Sequence, residues 1–375
     1  MALEKRLRRV KHKPMTKLHI STIPGFLFLL FALAGLSACS TGPLKGAFTK
    51  PAEPSAGLLS PNGKTMFFDW AVTGTSQIWK MIEPMGFPIQ MTTGVAETKV
   101  LAATPDEKNL IVSRLLEGGT GIGLYLLPVG GGSLQTVFQE RAVDARYAWV
   151  TNDGETIYYF ANDIKSNSYA FYSFSVVTGK RELLMTNPGQ WSCADVWADS
   201  TFLFVREKAN GTNEFFTWNI TERRLNPVIG QADSEKYQVR FAADGNEFFV
   251  LTSKFDHYKR VYRAKVGHFD PVTLFDKKDI ERIEIDHSRL HLYLHWRDGD
   301  GVRLEVLNAR TYDTESLPEF KGANRVSVSK LSRYGRYVSL LVESGSGARQ
   351  NFVYDWGQKK LVEWLKFEAT LRTQP

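Results

Sequence analysis

The sequence predicts an all-β chain folded as a seven-bladed β-propeller, with four antiparallel strands per blade. Two observations carry this reading. One turn-and-strand pattern occurs seven times before about Phe367, starting at Ser60, Thr104, Thr151, Ala198, Ala242, Asp286 and Ser332. Its spacing of 44 to 47 residues is that of a four-stranded blade. In addition, no stretch combines 3.6-residue apolar spacing with helix caps. Six or eight blades are the alternatives. The sixth copy, Asp286-His287-Ser288-Arg289, lacks Pro and Gly, and Glu305 stands where other copies carry an aromatic residue.

Each element follows from local chemistry. The first copy opens with Ser60-Pro61-Asn62-Gly63-Lys64, then the apolar run Met66-Phe67-Phe68. Later copies repeat the run as Leu110 to Val112, Ile157 to Phe160, Phe202 to Val205, Phe248 to Val250, Leu290 to Leu294 and Tyr337 to Leu341. Short β-branched and aromatic runs bounded by turn residues read as buried strands. A polar hairpin follows, such as Gly118-Gly119-Thr120, Asn210-Gly211-Thr212 or Asp298-Gly299-Asp300-Gly301, where Gly and Asn supply the positive φ of tight turns. The third strand carries Trp79, Tyr125, Tyr172, Phe216, Tyr262 or Tyr354. The fourth, as in Leu134 to Phe138, Arg181 to Met185, Pro271 to Phe275 and Lys360 to Leu365, has the polar face of an outer edge strand.

The first 38 residues read as a lipoprotein signal peptide. Seven Lys and Arg residues between Lys5 and Lys17 precede the apolar segment Ile23 to Leu36, which is of signal length and short for a membrane span. Leu36-Ser37-Ala38-Cys39 then matches a lipobox, with cleavage between Ala38 and Cys39 and the Cys39 thiol acylated. Met15 is an alternative start. Residues 39–56 read as the lipidated N-terminus and a Pro-rich tether, 57–367 as the propeller, and 368–375 as a C-terminal tail. Ser40 after the lipidated Cys favours the outer membrane, facing the periplasm, in a Gram-negative source.

Removing the signal leaves 40 basic and 39 acidic side chains, so the high isoelectric point belongs to the export segment. Nucleic acid is therefore not an expected partner. With Cys39 acylated, Cys193 remains, read as a buried and inert small hydrophobe just before a strand.

The Ser-Pro-Asn-Gly-Lys repeat, with Asp153-Gly154, Asp244-Gly245, Tyr334-Gly335-Arg336 and the stretch Asn351 to Leu361, resembles the N-terminal β-propeller of the prolyl oligopeptidase family and TolB-type propellers. The resemblance covers roughly 55–367. In that family an α/β-hydrolase domain carrying a Ser-Asp-His triad follows the propeller. Here the chain reaches Pro375 without it, and no Gly-x-Ser-x-Gly elbow occurs; Gly345-Ser346-Gly347 reads as a hairpin turn. No catalytic residue is expected.

Other constellations are read as structural. His291 and His295 on one strand stand about 13 Å apart, too far to share a metal, and His287 is read as structural or solvated with them. Asp298 to Gly301 lacks the later ligands of a calcium loop, and Gly118 to Gly123 and Gly130 to Gly132 lack the Lys-Ser/Thr of a phosphate loop. No cofactor or metal is expected. The expected role is a lipid-anchored, non-catalytic envelope platform that docks a protein partner. The alternatives are a small ligand or peptide held in the central channel, and the separately encoded or relic propeller half of a peptidase.

Overall fold

The computed structural model describes residues 53–265, 267–272 and 279–367. The signal peptide, Ala38, Cys39, most of the tether and residues 368–375 lie outside the described residues. Among the described residues, the strands form seven consecutive meanders of four, each ordered one to four in sequence and paired antiparallel. Blades six and seven are joined into one sheet by a single parallel pair, Val302 with Arg325. The helical content of the described residues is one 3-10 turn, Glu117–Gly119.

Seven apolar clusters close the ring, each shared by two neighbouring blades. Phe67 and Ile78 of blade one meet Leu110 and Tyr125 of blade two. Between blades three and four lies the largest aromatic assembly, with Tyr158, Phe160 and Phe171 against Trp191, Phe202, Phe204 and Trp218. Leu59, Met66 and Phe68 of blade one pack on Val353, Trp364 and Leu365 of blade seven, sealing the circle. No blade buries its faces alone, so each is stabilised by its neighbours.

The repeated turn has a specific physical basis. In the first copy the Thr65 N–H donates to Ser60 Oγ at 3.0 Å, while the Ser60 hydroxyl donates to Asn62 Oδ1 at 2.9 Å. Thr104 accepts from Asn109 N–H at 3.0 Å, Thr151 from Thr156 N–H at 3.1 Å and Ser332 from Tyr337 N–H at 3.0 Å. In every case the acceptor sits five positions before the donor. The sixth copy keeps this bond by other means: Asp286 Oδ2 accepts from His291 N–H at 3.0 Å. It is thus a full member of the repeat despite its missing Pro and Gly.

The third-strand aromatics face second-strand residues as the repeat implied: Trp79 opposite Phe68, Tyr172 opposite Tyr159, Tyr262 opposite Val250. Glu305 occupies that position in blade six, opposite Leu294. The fourth strand of blade five is described as His268–Pro271, paired antiparallel with Arg260–Lys265; positions 273–275 of the expected strand Pro271 to Phe275 lie outside the described residues. Cys193 lies inside the strand Gln190–Trp197, not before it.

The meander gives the ring two faces. One carries the Ser60-type turns, and is called the turn face. The other carries the hairpins between second and third strands and the links between blades. The described chain joins the ring on the hairpin face: Ser55 N–H donates to Asp69 O at 2.7 Å, and Glu53 pairs with Arg349 at 3.4 Å.

Candidate functional site: the axial chamber

The first strand of each blade lines the axis. Four of them carry a β-bulge at a comparable level. The register shifts between Val100 and Ala102, between Tyr147 and Trp149, between Cys193 and Asp195, and between Val328 and Lys330. The inserted residues are Leu101, Ala148, Ala194 and Ser329. A bulge bends the strand and re-aims the side chains beside it. Here the bulged strands of blades two, three, four and seven frame a chamber of about 240 Å3, bordered also by Leu58 and Leu59 of blade one.

Toward the turn face, three side chains from different blades separate this chamber from an outer vestibule of about 330 Å3. Arg333, from the turn of blade seven, crosses the axis to blade three. Its Nη2 donates to Val150 O at 2.6 Å and Asn152 Oδ1 at 3.0 Å, and its guanidinium lies 4.4 Å from the centre of the Trp149 ring. His287, from the turn of blade six, meets the same indole edge-on at 4.8 Å. Trp149 is held by its Nε1–H donating to Asp199 Oδ1 at 2.7 Å. These three residues form a clasp over the chamber.

Beside the clasp, the Arg289 guanidinium meets the Asp195 carboxylate through two bonds of 2.7 Å and also donates to Val196 O at 2.7 Å. Burial pushes the Asp195 carboxyl up, but Arg289 outweighs it and holds it below the ordinary range. Desolvation by the surrounding protein, then the Arg289 and Arg333 charges, outweigh the Asp195 charge and pull His287 down to about 4. It is therefore neutral at physiological pH.

Cys193 differs from its sequence reading in place, since it is half-buried and borders the chamber. Its thiol donates to Asp195 O at 3.3 Å, and burial followed by the Asp195 charge raises its pKa. His287 borders both cavities. The other two strand histidines serve packing: His291 Nδ1 contacts Asp286 Oδ2 at 2.5 Å with its ring stacked 4.0 Å from Trp356, and burial, then Arg282, pulls His295 down to about 3. No group of three or more His, Cys, Asp or Glu among the described residues is placed to hold a metal ion. Asp298 to Gly301 forms a two-residue hairpin, and Gly345 to Gly347 a turn between Ser344 and Ala348.

Sequence reasoning missed Trp149, Asp195, Arg289, Lys330 and Arg333. One signal was present. Arg289 occupies the turn position filled by Gly63, Gly154, Gly245 and Gly335 in other copies, and it adopts φ 56 there. Glu107 fills the same position of the second copy with φ 60, so what sets Arg289 apart is its buried pairing with Asp195 and not the positive φ alone.

A second feature lies at the outer edge between blades one and seven. The connection from the third to the fourth strand of blade one projects Ile82, Met85 and Phe87, which are 62%, 55% and 94% exposed. Lys64 and Lys360 border the adjoining cleft.

No protein-family model matches this sequence, and no curated protein matches it. Comparison of structures does find relatives in fold. A solved structure from a study of two prolyl endopeptidases superposes with a TM-score of 0.67 at 13% identity, covering 86% of this chain and 50% of that one. TolB from Acinetobacter baumannii gives a TM-score of 0.47 at 16% identity, covering 72% of this chain and 64% of that one. The chain thus spans half the length of the prolyl endopeptidase it resembles. The resemblance read from the repeat holds at the level of the fold: this is an all-β propeller similar to the propeller of prolyl endopeptidases.

Proposed function

We propose that this chain is a lipid-anchored, non-catalytic platform of the cell envelope that docks a protein partner at the rim of its turn face. The observation that carries the reading is the loop bearing Ile82, Met85 and Phe87. A phenylalanine 94% exposed on a projecting loop, with two further large apolar side chains beside it, is an anchor for a partner's pocket. The described chain joins the ring on the opposite face, which leaves this rim accessible when the N-terminus is tethered. Acylation at Cys39 after cleavage behind Ala38, with residence in the outer membrane facing the periplasm, completes the proposal. It is supported by the lipobox and by Ser40.

A photo-crosslinking residue in place of Phe87, in cells producing the full chain, tests the docking. The expected result is one discrete crosslinked species that is lost when the same residue is placed at exposed Val177 on blade three. Crosslinking to no protein, or equally from both positions, would overturn it. Intact-mass analysis of the mature N-terminus tests the anchor, with an acylated Cys39 expected.

A further inference from the structure

The axial chamber carries more than a packing role explains. Bulges interrupt ladder bonding, so one of them is a local accommodation, while four at one level around an axis shape a space. The inserted residues that border it, Leu101, Ala148 and Ala194, are apolar, and two of them are small. Packing alone would fill such a space with larger side chains.

The chamber's charged groups are unequal. Asp195 is saturated by Arg289 and by the Phe241 N–H. Arg333 is engaged by Val150 O, Asn152 and the face of Trp149. Lys330 differs: it is half-buried and borders the chamber, it makes no ion pair among the described residues, and the carboxyls its charge reaches, those of Asp69 and Glu284, are both pushed up by burial. A partly desolvated ammonium beside apolar walls is stabilised by an incoming anion, and a carboxylate supplies both charge and hydrogen-bond acceptors. The bulge between Val328 and Lys330 bends the strand directly beside this residue.

We infer that the axial chamber binds a small organic monocarboxylate, its carboxylate on the Lys330 ammonium and its compact apolar body against Leu59, Leu101 and the alanines. The volume of about 240 Å3 limits the ligand to a molecule smaller than most pocket ligands, of the size of benzoate or hexanoate. Trp149, His287 and Arg333 form the lid between this site and the vestibule. The site is independent of the rim loop, so this inference and the docking proposal stand or fall separately.

Benzoate and hexanoate are the probes, with benzamide and hexanamide as uncharged counterparts of matched shape. The mature protein is titrated with each by calorimetry and by thermal unfolding, alongside Lys330→Met and Lys330→Arg. At least one carboxylate is expected to bind and raise the unfolding temperature with concentration. The matching amide should bind about tenfold or more weaker. Lys330→Met should lose this discrimination and Lys330→Arg retain part of it. Unfolding temperatures without ligand show whether each variant is folded. If it is unfolded, the wild-type comparison of acid and amide decides alone. Equal binding of acids and amides, wild-type affinity in a folded Lys330→Met, or no binding of any probe at millimolar concentration would each overturn the inference.

Discussion

Arg289 and Asp195 join blade six to blade four across the inner end of blade five. Two guanidinium nitrogens meet two carboxylate oxygens, each at 2.7 Å, with both side chains buried. The Phe241 N–H of blade five donates to the same carboxylate at 2.9 Å, so three blades converge on one group. Removing the cation alone leaves a buried charge uncompensated. Arg289→Met should therefore destabilise the ring by about 3–5 kcal/mol, and the double variant Asp195→Asn, Arg289→Met by clearly less. Urea unfolding of the three proteins measures this.

The same pair sets a pH dependence. The Asp195 carboxyl is held below its ordinary value of 3.8 in the folded chain. A depressed folded-state value gives stability that is fully present above the unfolded value and is lost as pH falls through the folded one. The stability gap between the wild type and the double variant should stay constant from neutral pH to about pH 4 and shrink below it. A gap that narrows between pH 7 and pH 5 would assign the linkage to another group.

Glycine is required at some turns and merely convenient at others. Gly245 has φ 73, and a Cβ there would stand 2.2 Å from the Trp197 ring. Gly211 has φ 80 with nothing within 4 Å of the added carbon. Gly245→Ala should cost about 3 kcal/mol or more, and Gly211→Ala about 1 kcal/mol, the backbone penalty alone. Equal shifts in urea midpoint would show that Trp197 moves aside without cost.

The five-residue bond of the repeated turn can be weighed at Thr104. Thr104→Ala removes the acceptor for Asn109 N–H and the donor to Asp106, and should cost about 1–2 kcal/mol with an unchanged denaturant slope. Thr104→Ser keeps both bonds and should recover most of the loss.

Cys193 should be a poor nucleophile although it borders a cavity. Burial and the Asp195 charge raise its pKa, so little thiolate exists near neutral pH. In the Cys39→Ser protein, reaction with a disulfide reagent at pH 8 should run at least about tenfold slower folded than in urea. Rapid stoichiometric labelling of the folded protein would mean that the thiol is activated.

Turns and strands were legible because their causes are local. Ser60, Thr104, Thr151 and Ser332 each bond a backbone group five residues on, so the residue types that make the turn recur at its spacing. The axial site was not legible, because its contacts are distant in sequence: Arg333 reaches Asn152 across 181 positions. Nor did the bulges show, since one inserted Ala148 or Ala194 leaves an apolar strand apolar. The sixth copy looked weakest because Asp286 replaces the usual hydroxyl and His287 and Arg289 replace Pro and Gly. Those substitutions are the ones that build the clasp and its neighbouring ion pair, as expected where a site departs from the local rules of its repeat.

Among the described residues, every blade takes its four strands from one stretch of chain in sequence order, and no strand from one end is stitched into a blade from the other. The junction of blades one and seven is consequently a seam, held by Leu59, Met66 and Phe68 against Val353 and Trp364, with Met85 N–H to Trp364 O alongside. The ring resembles a split washer. Tension applied at its two ends would prise that seam before any blade unravelled. The Arg333 side chain, fixed to blade three on the far side of the axis, then acts as a spoke that keeps blade seven from springing outward.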